Sequence, residues 1–293
     1  MMKLAQRLSR WAQGFAAPPP IPDELWSATL TRYPFLVQAD EAANERLRRL
    51  AAHFLTQKEF TGAHGFEITD AVAVTIAAQA CLPLVHLGPP GRPEAALAWY
   101  DDFVGIVIQR GNVLARRESM DAAGVVHRYH EVIAGEAMER GPVMLSWPAV
   151  EAASHGGPGH SVVIHEFIHK MDMKSGRPNG CPPLPPGFMG TKSARAARAA
   201  WLSMLQPAYH ALREQVTQAE RFGQPMPWLD AYGATSLVEF LPVACEAYFV
   251  QRKRFAEEWP GLAMLFDAFF DPRGQALTTR QTALPPPPAN RAS

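Results

Sequence analysis

Two histidines and a glutamate within VVIHEFIHKMD, residues 162–172, are the residues of this chain best suited to chemistry. Four residues of α-helix advance about 400° and about 6 Å, so His165 and His169 project from one face, a turn apart. Imidazoles so spaced take two adjacent corners of a tetrahedral Zn2+ site without backbone strain. Glu166 then lies beside the ion, placed to handle a bound water. The bland alternative is two histidines packed in a core. With ten histidines in the chain, H-E-x-x-H arises by accident in on the order of 1 in 60 sequences of this composition, so the metal reading is the stronger one.

An ion that does chemistry needs a third protein ligand and an open fourth position. The metzincin continuation requires Gly at 172 and His at 175, and the chain has Asp172 and Ser175. The thermolysin arrangement requires a glutamate about 20 residues after the second histidine, and none occurs between Glu166 and Glu214. The remaining donors are Asp172, His210, Glu214, Glu220, Asp230, Glu239, Glu246, Glu257 and Glu258. Asp172 is short and suits a hydrogen bond to a ligand histidine better than ligation. Glu214 and Glu220 stand among Arg213, Gln215 and Gln218, an ordinary solvated face.

Glu239 and Glu246 differ, because both fall in the apolar stretch YGATSLVEFLPVACEAYF, 232–249, two helical turns apart on one face. Buried carboxylates cost several kcal/mol unless a cation or a hydrogen-bond network meets them. A capping box, Ser236 with Glu239 three residues on, is the rival account of Glu239 and leaves Glu246 unexplained; the ligand reading is preferred. His155 and His160, in SHGGPGH, read as parts of a glycine loop in preference to extra donors.

The elements that must position these groups are read from periodicity. Glu41 to Phe60 reads as an amphipathic helix and Val72 to Leu82 as a buried one. Val104–Gln109, Val125–Ile133 and Val143–Trp147 read as strands. Helices follow: the motif helix, Ser193 to Thr217, Leu237 to Gln251, and Leu262 to Phe270. Strands followed by helices indicate an α+β domain. The loop Ser175–Thr191, rich in proline and glycine, reads equally as a functional rim or lid and as plain disorder. One catalytic domain is expected over 24–274, after a basic amphipathic segment and proline-rich linker at 1–23 and before a proline-rich, disordered tail at 275–293. The first segment, with Leu4, Leu8, Trp11 and Phe15 on one face, reads as docking on the protein's own body in preference to a membrane surface.

Lys plus Arg and Asp plus Glu both count 28, which removes any global pull toward nucleic acid or an anionic membrane. Three cysteines without a CxxC pair argue for a reducing compartment, and the polar interruptions of the first twenty residues argue against an export signal. No apolar run is long enough to span a bilayer, so a cytoplasmic protein is expected.

These residues resemble the Mlc titration factor family of zinc peptidases, glucose-regulated metallopeptidases whose catalytic core is similar to that of anthrax lethal factor. The likeness rests on HEFIHKMD at 165–172, on the 232–249 stretch, and on HFLTQKEFTG (53–62), IAAQACLPLVHLG (76–88) and AGEAMERGPVMLSW (134–147). It runs from about Leu30 to Pro272. The resemblance implies a helix-rich, zincin-like α+β domain with a small mixed sheet, and one Zn2+ per chain held by His165, His169 and Glu239. It makes Glu166 the base and gives Tyr232, seven residues before Glu239, a part in stabilising the transition state. Asp172 and Glu246 would support the ligands by hydrogen bonds. It further implies aminopeptidase-type hydrolysis of peptide or protein substrates, and binding of a transcriptional repressor of glucose uptake in place of direct nucleic-acid contact. A regulatory binding protein with incidental activity is the alternative.

The chain departs from the family pattern at Pro242, expected to bend the ligand helix, and at Leu237, where the family carries proline. The strand Val143–Trp147 is the expected edge for pairing with an extended substrate.

Overall fold

The structure, a computed structural model, describes residues 18–89, 91–111, 113–120, 126–133, 135–155 and 159–272. The expected amphipathic segment through Leu4 to Phe15 and the proline-rich tail fall outside them. The described chain begins with helices α1 (Asp23–Arg32) and α2 (Glu41–Gln57), and a short strand separates them from α3 (Asp70–Cys81). Asp40 and Thr69 cap α2 and α3 by accepting from the backbone N–H of Ala43 and Val72. Val72 through Cys81 are all buried, so α3 is a core helix, apolar on every side.

β1 (Glu59–Gly62) and β2 (Gly105–Gln109) pair in parallel, β6 (Val143–Ser146) joins β2 in parallel, and β5 (Gly135–Ala137) runs antiparallel to β6. The order β1-β2-β6-β5 makes a small mixed sheet. Between β2 and β5 the chain makes an antiparallel hairpin of β3 (Val113–Met120) and β4 (Val126–Ile133). The motif stretch is helical from Val162 to Asp172, preceded by the short α4 (Trp147–Ala152); we call it α5. Then follow α6 (Ala194–Phe222), α7 (Leu237–Val250), α8 (Arg252–Glu258) and α9 (Pro260–Phe270). The protein is therefore helix-rich with a mixed sheet, as an α+β reading requires.

Several boundaries differ from expectation, each for a local reason. The helix read to Phe60 stops at Gln57, because Lys58 is extended and Glu59 begins β1. The long helix continues past Thr217 to Phe222, where Gly223 takes the left-handed conformation that ends it. The expected substrate edge is overturned: Val143–Ser146 is interior, paired with β2 on one side and β5 on the other. Val143, Leu145 and Ser146 are buried, as befits a core strand, and the short Gly-Glu-Ala strand β5 takes the outer position. Pro242 does not interrupt α7, which runs unbroken through it.

The back of α5 is set in aromatic packing. Phe167, fully buried, lies 4.8 Å from Tyr100, 5.6 Å from Phe54 and 5.9 Å from Phe103, ring centre to ring centre. Truncating such a ring costs about 3–5 kcal/mol. Its burial fixes which face of the helix turns outward.

Candidate metal centre

That outward face carries His165, His169 and Glu166, and α7 packs across it. Ser161 starts α5 by accepting from the Ile164 N–H at 3.2 Å, and Ser236 starts α7 by accepting from the Glu239 N–H at the same distance. The cap and the ligand readings of Glu239 thus separate: its backbone N–H is capped by Ser236, while its carboxylate turns to the histidines. Glu239 Oε2 lies 3.2 Å from His165 Nε2 and 3.1 Å from His169 Nε2. One donor atom from each of the three residues falls within 4.8 Å of the others, and among the described residues this is the one group of this kind.

Glu246, two turns further along α7, bridges the two helices. Its Oε1 is 2.7 Å from His165 Nδ1, and its Oε2 accepts from the Ser161 N–H at 2.7 Å. His165 therefore presents Nε2 to Glu239 with its other nitrogen held. Burial by itself would lower the His165 pKa, but the carboxylates of Glu246 and Glu239 outweigh it and hold the imidazolium well above the usual histidine range. Burial likewise opposes ionisation of Glu239, and the two imidazoles reverse that, keeping its carboxyl below the ordinary carboxylate range. Glu166 is buried, which raises its pKa against the opposing pull of His165 and His169.

This donor set fits a divalent cation. Glu166, Glu239 and Glu246 bring three carboxylates to two imidazoles in a largely buried place. One oxygen, Glu239 Oε2, faces both Nε2 atoms, and His169 Nδ1 is buried without a hydrogen-bond partner. Two imidazoles and a carboxylate, with no thiolate, make the mixed nitrogen and oxygen ligation that suits zinc in an open site. The open side meets a cavity of about 510 Å³ lined by Glu166, Tyr232, Glu239, His160, Asp230 and all three residues of β5.

Tyr232 lies with its ring centre 6.0 Å from that of His165, on a 3₁₀ turn, Ala231–Ala234, capped by Asp230, whose Oδ1 accepts the Tyr232 N–H at 2.9 Å. Gly233 lets that turn approach α7 closely, since a Cβ there would sit 3.1 Å from Val243 Cγ1. Asp172 does not do what its position suggested. Both its oxygens accept backbone N–H groups of the following loop, Oδ2 from Asn179 and Gly180 and Oδ1 from Cys181, so no hydrogen bond to His169 is made. The loop does form a rim, through Pro178. His160 pairs with Asp230 at 3.4 Å and stands apart from the donor triad. Sequence reasoning missed β5, whose Gly135 rests on Glu166: a Cβ there would meet Glu166 Oε1 at 2.6 Å.

The class follows from comparison with known families. The model of the family described as glucose-regulated metallo-peptidase M90 matches residues 6–271, nearly the whole chain, and the chain belongs to that family. Among individual proteins, Mlc titration factor A of Cronobacter sakazakii is 30% identical over 256 residues, covering 87% of this chain and 87% of that one. Proteins of the same name from Salmonella gallinarum and Salmonella arizonae are each 30% identical, over 238 and 249 residues, covering 81% and 85% of this chain and 82% and 90% of theirs.

Proposed function

We propose that this chain is a zincin-like, zinc-dependent peptidase that trims amino ends of peptides in the cytoplasm. The convergence of His165, His169 and Glu239 beside Glu166, at a cavity bordered by a strand edge, carries the reading. His165, His169 and Glu239 would hold one Zn2+ beside the cavity. Bound there, zinc supplies an acidified water and a Lewis acid for the scissile carbonyl.

The chain's own groups do the rest. Glu166 takes a proton from the attacking water as the carbon–oxygen bond forms, then passes it to the amine nitrogen as the carbon–nitrogen bond breaks. Tyr232 donates a hydrogen bond to the developing oxyanion. Glu246 accepts from His165 Nδ1–H and fixes the tautomer that exposes Nε2. β5 has a strand partner on one side only among the described residues, so an extended substrate backbone pairs along its other side. Glu136 and Asp230 line the cavity and bring negative charge suited to a free α-amino group. The unpaired Cys81, Cys181 and Cys245 agree with a reducing compartment.

Metal analysis and peptidase assays on two variants test the scheme. Glu166→Gln should retain zinc and lose at least about 100-fold in kcat, whereas Glu239→Ala should lose zinc itself. A Glu166→Gln protein with full activity would remove the base assignment, and equal rates on free and N-acetylated peptides would remove the preference for amino ends.

The name borne by the relatives supports a second role. We infer that the chain also binds a transcriptional repressor of the Mlc kind, directly and without nucleic acid. Capture of purified Mlc should survive chelation if the contact lies outside the metal centre; no capture in either condition would end this reading.

A further inference from the structure

We infer that Lys170 is a positioning residue that ties the β5–β6 turn to the helix face bearing Glu166, and so sets the height of the substrate-pairing strand over the base. Its kinetic consequence rests on the peptidase reading above; the linkage itself does not.

The Lys170 side chain is fully buried. Its ammonium uses all three donors, to Met138 O at 2.6 Å, Gly141 O at 3.0 Å and Asp102 Oδ2 at 3.2 Å, and lies 4.4 Å from the centre of the Phe103 ring. Met138 and Gly141 bracket the turn between the two strands, where the Gly141 N–H also donates to Met138 O at 3.1 Å. A buried ammonium is expensive, and an apolar side chain of similar length would fill the same space at lower desolvation cost. What the ammonium does that an apolar group cannot is hold two main-chain carbonyls at once.

Lys170 follows Glu166 by four residues, so both project from one face of α5. That face therefore meets the strand at two points. At one end Gly135 rests on the Glu166 carboxyl, so close that a Cβ would meet Oε1 at 2.6 Å and force the side chain to shift, and this sets the nearest approach. At the other end Lys170 holds the turn down and keeps β5 from lifting away. A backbone paired along β5 inherits its position relative to Glu166 from these two contacts.

Hydrogen exchange read by mass spectrometry on the full-length, zinc-loaded protein tests the linkage. In Lys170→Met the amides of residues 135–141 should exchange at least about tenfold faster, with residues 162–172 and zinc content as in the wild type. In peptide hydrolysis KM should rise by more than kcat falls. Lys170→Gln, which keeps two neutral donors, should show the same pattern more weakly, and it carries the test if Lys170→Met does not fold. Exchange over 135–141 unchanged from wild type, or raised evenly along the whole chain, overturns the inference. Full activity of Glu166→Gln would instead remove the base assignment, while the exchange result still decides the role of Lys170.

Discussion

His165 and His169 are the same donor chemically, yet they meet different surroundings. His165 Nδ1 is held by Glu246 at 2.7 Å, whereas His169 Nδ1 is buried with no partner, and Asp172, three residues after His169, is committed elsewhere. The His165 ring is thus oriented by Glu246 through its Nδ1, and His169 has no such hold there. Glu246→Gln should weaken zinc binding by about 10–100-fold, read by competition with a chromophoric chelator; affinity equal to the wild type would show that packing alone orients the ring. The sequence marked Glu246 through its spacing from Glu239 on an apolar face. It could not reveal that Asp172 would turn away, because that depends on where residues 179–181 return in space.

Asp172 joins elements to one another. It closes the end of α5 by gathering three consecutive N–H groups, while the Gly180 carbonyl accepts from Trp201 Nε1 at 2.7 Å. Gly180 itself has φ +75 and stands so near α7 that a Cβ would lie 3.0 Å from Leu237. The proline-rich loop is thereby tied to α5, α6 and α7 together. Asp172→Ala should destabilise the protein by roughly 2–4 kcal/mol, because it strands buried donors as well as removing an acceptor. Urea unfolding would measure this, and a loss under about 0.5 kcal/mol, the ordinary surface value, would contradict it. α5 and α7 were legible because each has a capping serine and a long apolar pattern. β5 was not, because Gly-Glu-Ala has no strand propensity and is extended only by pairing with β6.

A second buried lysine shares the Phe103 region with Lys170. Lys58 donates to the carbonyls of Tyr100 and Phe103, and its ammonium lies 3.9 Å from the Phe103 ring centre. Burial pushes its pKa down from 10.5 to about 8, partly opposed by Asp102. Between those two values the unfolded chain binds more protons at this site than the folded one, so this site's contribution to stability rises with pH across that window. Against Lys58→Met, the wild type should therefore gain roughly 2–3 kcal/mol between about pH 7.5 and 10.5. Comparing the variants removes the opposing titration of the buried cysteines and tyrosines, and a difference independent of pH would refute the shift. No described helix is long and apolar enough to cross a membrane. By itself the sequence determined the pairing of His165 with His169, the nomination of Glu239 and Glu246, and the helix-rich character, because helical spacing and apolar pattern are local properties. Tertiary structure alone decided that β5 and not β6 lies at the edge, that Asp172 serves the loop, and that Lys170 reaches the turn beside the site. Each of those depends on which distant backbone groups come within hydrogen-bonding reach once the core has closed.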